Sequence, residues 1–368
     1  MPSSFQYANP ETIRWGAGCV RESLAEELAR TGARRVFLVT TRSAAQDEAL
    51  APAVEALLGD RLAARFSGVG QHAPARAVMD AAAAARSARA DALVSLGGGS
   101  PIDAAKAVAF ALATGLDLAD PADLGRARRA RVASALPHVA VPTTLSMAEL
   151  SGSAGFSAEG SREKVGVYAP ALRPAAVLYD AELAVRTPLP LWLSTGLRAV
   201  DHACETLLAP GDHPLPDLAA AEALRRLKAG LLAVQARPAD LQARTACQLG
   251  GWFSDLLPGA ASRGLSHTLG KRIGSRHGIP HGVTSCLLLP HVLRYLAPRA
   301  PQAAARIAEA LGARDAAEGV ADLVARLGLP RHLSDWKLGD EDLREAVRPV
   351  ASPEHPEADL LAILRAAL

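Results

Sequence analysis

Three consecutive glycines, Gly97-Gly98-Gly99, followed by Ser100-Pro101, close the apolar run Ala92–Leu96 and open a stretch of helical character through about Ala113. A backbone without Cβ atoms turns sharply and lets a ligand approach closely. The unpaired N–H groups and positive dipole end of a helix start favour an anion, so the chemistry indicated is phosphate or pyrophosphate binding. Ser100 is the expected N-cap and Pro101 the expected first helical residue. An ordinary glycine-rich turn has the same composition, and the segment is not the G-x-G-x-x-G fingerprint. Further along, Arg198 and His202 stand four apart, as do Arg263 and His267, so each pair shares a helical face. An imidazole titrates in the range needed to move protons. A guanidinium holds a carboxylate bidentately or stabilises developing negative charge. Taken alone, His267 also has a plainer reading, a satisfied interior histidine.

Short β-branched or apolar runs at Arg35–Val39, Ala92–Leu96, His138–Val141 and Ala175–Tyr179 alternate with helical stretches, one of them about Pro74 to Arg89. That alternation predicts a mainly parallel sheet covered on both faces. Ser4–Tyr7 with Thr12–Trp15 reads as a small hairpin around Asn9-Pro10, and Phe156–Val167 as another with its turn near Glu159-Gly160. After about Pro188 strand-like runs almost vanish. Leu197, Val200, Cys204, Leu207 and Leu208 fall on one helical face, and helices are expected at about Asp217–Gln235, Ala239–Leu256, Val283–Leu296, Pro301–Leu311 and Ala316–Leu327. The expected organisation is an α/β dinucleotide-binding domain over 1–187, followed by an all-α domain over 188–368.

The segments GGGSPIDAAKAV, VPTTLSMAE, YDAELAVRTP, STGLRAVDHACE and SHTLG, the last followed by IPHGVTSCLLLPHVLRY, occur in this order over roughly residues 5–300. In this the chain resembles the iron-containing alcohol dehydrogenase family, and most closely its maleylacetate reductase-like branch. The resemblance implies a dinucleotide fold followed by a helical domain, with the active site in the cleft between them. It implies an NAD(P)H cofactor held by Gly98, Gly99, Ser100 and Asp103, with Thr143, Thr144 and Lys164 completing the site. Each has a plainer reading: Thr143 and Thr144 as loop caps, Lys164 as a solvated hairpin lysine.

The same resemblance implies a divalent metal held by one Asp and three His. Two of those four positions carry arginine here. Arg198 stands where the Asp is expected and Arg263 where a His is expected, while His202 and His281 are retained. His267 matches a histidine that stands near nicotinamide and substrate rather than on the metal. Arginine stays protonated and has no lone pair to give. The metal is therefore doubtful, and the arginines are expected to take its place toward an oxo-acid substrate, with little contribution to stability if they line an exposed cleft. Two alternatives stand beside this: salt bridges from the arginines to Asp201 or Glu205, or a rebuilt metal site from His202, His281 and either His277 or Asp201. Met147, Trp252 and Phe253 are candidate pocket walls or simply core.

The working expectation is hydride transfer to a ketone or aldehyde carbon, with Arg198 or Arg263 stabilising the alkoxide, His267 delivering the proton or ordering the nicotinamide ribose, and His202 a further catalytic candidate. Rival readings are a metal-dependent alcohol dehydrogenase, a cyclase on a related scaffold, or a cofactor-binding protein without catalysis. After the run Arg35–Val39 the chain reads Thr40-Thr41-Arg42-Ser43, with no acid to select NAD, so NADPH should be accepted. With 40 basic and 38 acidic residues and 4% aromatics, nucleic acid and membranes are not expected as partners. A small-molecule substrate and a homodimer are. The scattered cysteines Cys19, Cys204, Cys247 and Cys286 suggest a reduced compartment. The N-terminal stretch shows no basic cluster followed by an apolar run, so no signal peptide and a cytoplasmic location are expected.

Overall fold

The computed structural model describes residues 7–158, 164–256 and 264–368. Two compact units are present, one spanning Ala8–Thr187 and the other including Pro188–Leu368. The first is built on strands β1 (Thr12–Trp15), β2 (Val36–Val39), β3 (Leu62–Phe66), β4 (Ala92–Gly97), β5 (His138–Pro142) and β8 (Ala176–Tyr179). They form one sheet in the order β1-β8-β5-β4-β2-β3, with every pairing parallel. Every residue of β2, β4, β5 and β8 is buried, as expected of strands covered on both faces. The chain runs outward from β2 to β3, then returns to β4 on the other side of β2. The order thus reverses between β2 and β4, and open α/β sheets bind ligands at the carboxyl ends of strands at such a reversal.

The hairpin expected around Asn9-Pro10 is not the arrangement of Thr12–Trp15. That segment is an edge strand paired parallel to β8, from Thr12 opposite Ala176 to Trp15 opposite Tyr179. Ser4–Gln6 lie outside the described residues. The period-2 pattern of a short strand does not reveal whether its partner is local or distant, and here the distant apolar strand wins. The second hairpin is present: β6 (Ser153–Ser157) pairs antiparallel with β7 (Lys164–Tyr168). Its turn lies outside the described residues. β3, sequence LAARF, carried no strand signal because it is an edge strand with only partial burial.

Among its described residues the second unit is helical. Its longer helices are Leu189–Leu208, Pro214–Ala236, Leu241–Ser254, Leu265–His277 and His281–Leu296. Gly278 in the left-handed conformation ends one helix and Pro280 caps the next, so His277 and His281 do not share a helix. Gly282 sets how closely His281–Leu296 approaches Leu189–Leu208, since a Cβ there would lie 2.6 Å from the Ser194 carbonyl oxygen. No helix among the described residues is long and apolar enough to cross a membrane.

Candidate functional site

In the first unit the carboxyl ends of β2, β4 and β5 are tied together. The Thr40 hydroxyl donates to the Leu96 carbonyl at 2.9 Å, and the Thr143 N–H donates to the Gly97 carbonyl at 2.9 Å. The helix after β4 starts at Gly99 and runs to Thr114, with Gly98 in extended geometry at its cap. The expected start at Ser100-Pro101 is therefore two residues late. The Ser100 hydroxyl does not cap. It accepts the His72 N–H at 3.2 Å, and Pro101 fits the third helical position because the first four N–H groups of a helix have no internal partner anyway.

Gly98 and Gly99 pack so closely on the loop after β5 that Cβ atoms would lie 3.1 Å from Thr144 and from the Ser146 hydroxyl. Thr143 and Thr144 are buried, and Thr144 Oγ1 has no hydrogen-bond partner among the described residues. A buried hydroxyl without a partner, beside the open N–H groups of a helix start, fits a dinucleotide phosphate. Asp103 forms an ion pair with Lys106 at 2.9 Å. The fully buried Lys106 ammonium also donates to the carbonyls of Ala148 at 2.8 Å and of Ser153. It thereby fastens the loop after β5 and strand β6 to the glycine-loop helix. Glu149 anchors that loop from below, accepting the Tyr179 hydroxyl at 2.9 Å. Lys164 pairs with Ser157 through the β6–β7 ladder, and its side chain lies outside what the structure describes. Met147 is a buried residue in the left-handed region (φ 57°).

In the second unit three histidines come together from three helices. The His202 and His267 rings lie 6.2 Å apart between centroids, and His267 and His281 lie 5.3 Å apart. His267 is held by its backbone, whose N–H donates to Glu205 at 2.8 Å; that carboxylate sits at the N-terminus of Leu265–His277, where negative charge is favoured. Arg198 lies one turn before His202. It is 4% exposed, and its Nη1 donates to Asp201 Oδ2 at 2.8 Å and to Ser285 Oγ at 2.9 Å. The hydroxyls of Ser266 and Ser285 converge on the same Oδ2 at 3.0 and 2.7 Å. Arg198 Nη2 and Asp201 Oδ1 have no hydrogen-bond partner among the described residues. Burial raises the Asp201 carboxyl above the usual carboxylate range, against the opposing pull of Arg198, Ser285 and Ser266.

Arg198 is thus not an exposed cleft residue. Its bridge to Asp201 was one of the alternatives open in the sequence, and the structure realises it on Nη1 while leaving Nη2 unengaged. Arg263 lies outside the described residues. His277 is directed to Asp342, 3.7 Å away. The Trp252 and Phe253 rings lie 5.2 Å apart, tilted by 48°, and are half-buried. Sequence reasoning did not find Ser266 and Ser285. Ser285 is four residues after His281 on one helical face, which was a usable signal; Ser266 precedes His267 and had none.

By the resemblance drawn from the motifs, the four positions of the family's divalent metal are assigned to Arg198, His202, Arg263 and His281. A protonated guanidinium cannot ligate, and it would repel a cation placed beside it. The carboxylate on the same helix, Asp201, is ion-paired to the Arg198 guanidinium through Oδ2, which also accepts from Ser266 and Ser285. Among the described residues no group of three or more His, Cys, Asp or Glu is arranged to hold a metal. These residues do not fit that metal.

Comparison with known proteins agrees with the geometry. Residues 10–181 match the iron-containing alcohol dehydrogenase model, and residues 192–362 match the C-terminal model of the Fe-containing alcohol dehydrogenase family. Maleylacetate reductase of Burkholderia cepacia is 32% identical over 365 residues, 98% of this chain and 96% of that protein. Maleylacetate reductase of Sphingobium indicum is 33% identical over 351 residues, 94% of this chain and 90% of that one. The crystal structure of maleylacetate reductase from Agrobacterium tumefaciens superposes with a TM-score of 0.85 at 31% identity, covering 100% of this chain and 99% of the other. With a sheet reversal beside a glycine loop in one unit and a histidine cluster in the other, the chain belongs to the iron-containing alcohol dehydrogenase family and is an NAD(P)-dependent oxidoreductase.

Proposed function

We propose that the protein reduces the carbonyl of an oxo acid, a substrate class that includes the maleylacetate its relatives are named for, and that it does so without a bound metal. The observation that carries the reading is Arg198. It occupies a metal-ligand position, it is buried beside Asp201, and one of its guanidinium nitrogens has no partner among the described residues. A donor of fixed orientation in a low-dielectric site is worth far more to a developing negative charge than the same donor in water.

In this reading Gly98, Gly99, Ser100, Thr143 and Thr144 hold the dinucleotide, with Asp103 and Lys164 assigned by family position. When bound, the reduced nicotinamide supplies the hydride. Arg198 donates from Nη2 to the substrate oxygen that gains charge, and Arg263 is assigned the same role from its family position. Asp201, Ser266 and Ser285 hold the Arg198 guanidinium in one orientation. His267, fixed through its backbone by Glu205, returns a proton to that oxygen, with His202 and His281 packed around it. A second reading, a rebuilt metal site, has the three clustered histidines in its favour and the guanidinium in a ligand position against it. The four buried free thiols accord with a reduced compartment, and we extend the reading to a cytoplasmic homodimer. The test is consumption of NADPH or NADH over a panel of oxo acids, with simple ketones and aldehydes alongside. Efficient turnover of oxo acids is expected. Cofactor binding without turnover on any of them would overturn the reading.

A further inference from the structure

His72 and Ala73 are consecutive non-glycine residues in the left-handed region, at φ 63° and 47°. Such a conformation costs free energy at each residue and persists only where the surroundings enforce it. Here they do. The His72 carbonyl accepts the Ser157 N–H at 3.1 Å, Pro74 bridges to Ser157, the Ala73 N–H donates to Gly70 at 3.2 Å, and Ala73 is fully buried. Strand β6, which carries Ser157, is itself fastened by Lys106 to the glycine-loop helix. The result is that the His72 N–H points at Ser100 Oγ, 3.2 Å away.

A serine hydroxyl has one proton to give and two lone pairs to accept with. When a backbone N–H occupies the accepting side, the hydroxyl proton is left free to donate. Ser100 stands at the second position of the helix, among the N–H groups that have no internal partner, two residues after Gly98, which packs on the partnerless hydroxyl of Thr144.

We propose that His72 is a positioning residue for the cofactor: its left-handed backbone delivers an N–H to Ser100 and so commits the Ser100 hydroxyl to donate to a phosphate oxygen of the dinucleotide. The inference rests on the reading that the glycine loop holds the dinucleotide. It also accounts for two strained residues placed against that loop.

The test is the Kd of NADPH and of NADH, measured by nicotinamide fluorescence on the full chain, with circular dichroism to confirm folding. Glycine enters the left-handed region freely, whereas a β-branched residue does not. His72→Gly should therefore keep wild-type affinity, and His72→Val should weaken binding about tenfold, the scale of one hydrogen bond to a charged group. Ser100→Ala should weaken it by a similar factor, and His72→Val should add nothing further in the Ser100→Ala background. Equal losses in His72→Gly and His72→Val would assign the effect to the imidazole and overturn the proposal. So would additive losses in the double variant, or an unchanged Kd in Ser100→Ala. Failure of the wild-type chain to bind either nucleotide would instead overturn the cofactor reading of the loop.

Discussion

Replacing Arg198 by methionine should damage stability and catalysis together, and the pairing with Asp201 provides a way to separate the two. The single substitution leaves the Asp201 carboxylate at 0% exposure without its ion-pair partner. Breaking a buried pair from one side costs about 3–5 kcal/mol, because an uncompensated charge remains. In a unit of this size that lowers Tm by about 6–20 °C, at about 2–4 °C per kcal/mol. Protonation of Asp201, whose pKa burial already raises, limits the loss, so the drop should shrink as pH falls. Removing both charges in Arg198→Met/Asp201→Asn relieves most of it, since the asparagine carbonyl can still accept from Ser266 and Ser285, which now lie 3.0 and 2.7 Å from Asp201 Oδ2. If Arg198 acts on the substrate, the double variant should melt near wild type yet lose about 10²–10³ in kcat/KM, the usual loss for one donor to a developing oxyanion. Differential scanning calorimetry and steady-state oxo-acid reduction on the same preparations read the two quantities. A double variant with wild-type melting and near-wild-type kcat/KM would show that Arg198 only balances Asp201.

Arg42 is exposed just after β2 and forms no ion pair among the described residues, so NADPH should be accepted and Arg42→Glu should move the preference toward NADH by more than tenfold. A wild-type preference for NADH above about a hundredfold in kcat/KM, roughly 2.7 kcal/mol, would contradict this. His138 is buried, shares a 2.7 Å hydrogen bond with Ser95, and has its pKa lowered by burial from 6.5 to about 3. Its neutral form is the one the fold accommodates. It therefore contributes stability that is complete above about pH 6.5 and is lost toward pH 3, at up to about 1.4 kcal/mol per unit. Chemical denaturation of His138→Leu should show a shallower acid-side loss than wild type, and parallel curves would refute the assignment.

The strands at the centre of the sheet were legible because burial on both faces leaves continuous apolar runs such as Val36–Val39 and Ala92–Leu96. The edge strand β3 was not, since partial burial removes that signal; Thr12–Trp15 was read as a strand, but with a local partner, whereas its partner lies more than 160 residues away. The glycine loop was visible as composition, but the helix start was misplaced. Ser100 has the right chemistry for a cap, and only the fold brings His72 to claim its hydroxyl. Arg198, His202, His267 and His281 were singled out by motif order and helical spacing. That Arg198 would be buried was not visible, because spacing gives a face and not its depth. The convergence of Ser266 and Ser285 on Asp201 depends on three helices meeting, which no local pattern encodes.

The central claim, oxo-acid reduction with a guanidinium in place of a metal, is tested most directly by elemental analysis and chelation on one preparation. The purified protein should carry well under one equivalent of iron, zinc or manganese per chain, and its NADPH- or NADH-dependent reduction of oxo acids should survive prolonged chelator treatment unchanged. Near-stoichiometric metal, with activity abolished by the chelator and restored by a single metal ion, would contradict it.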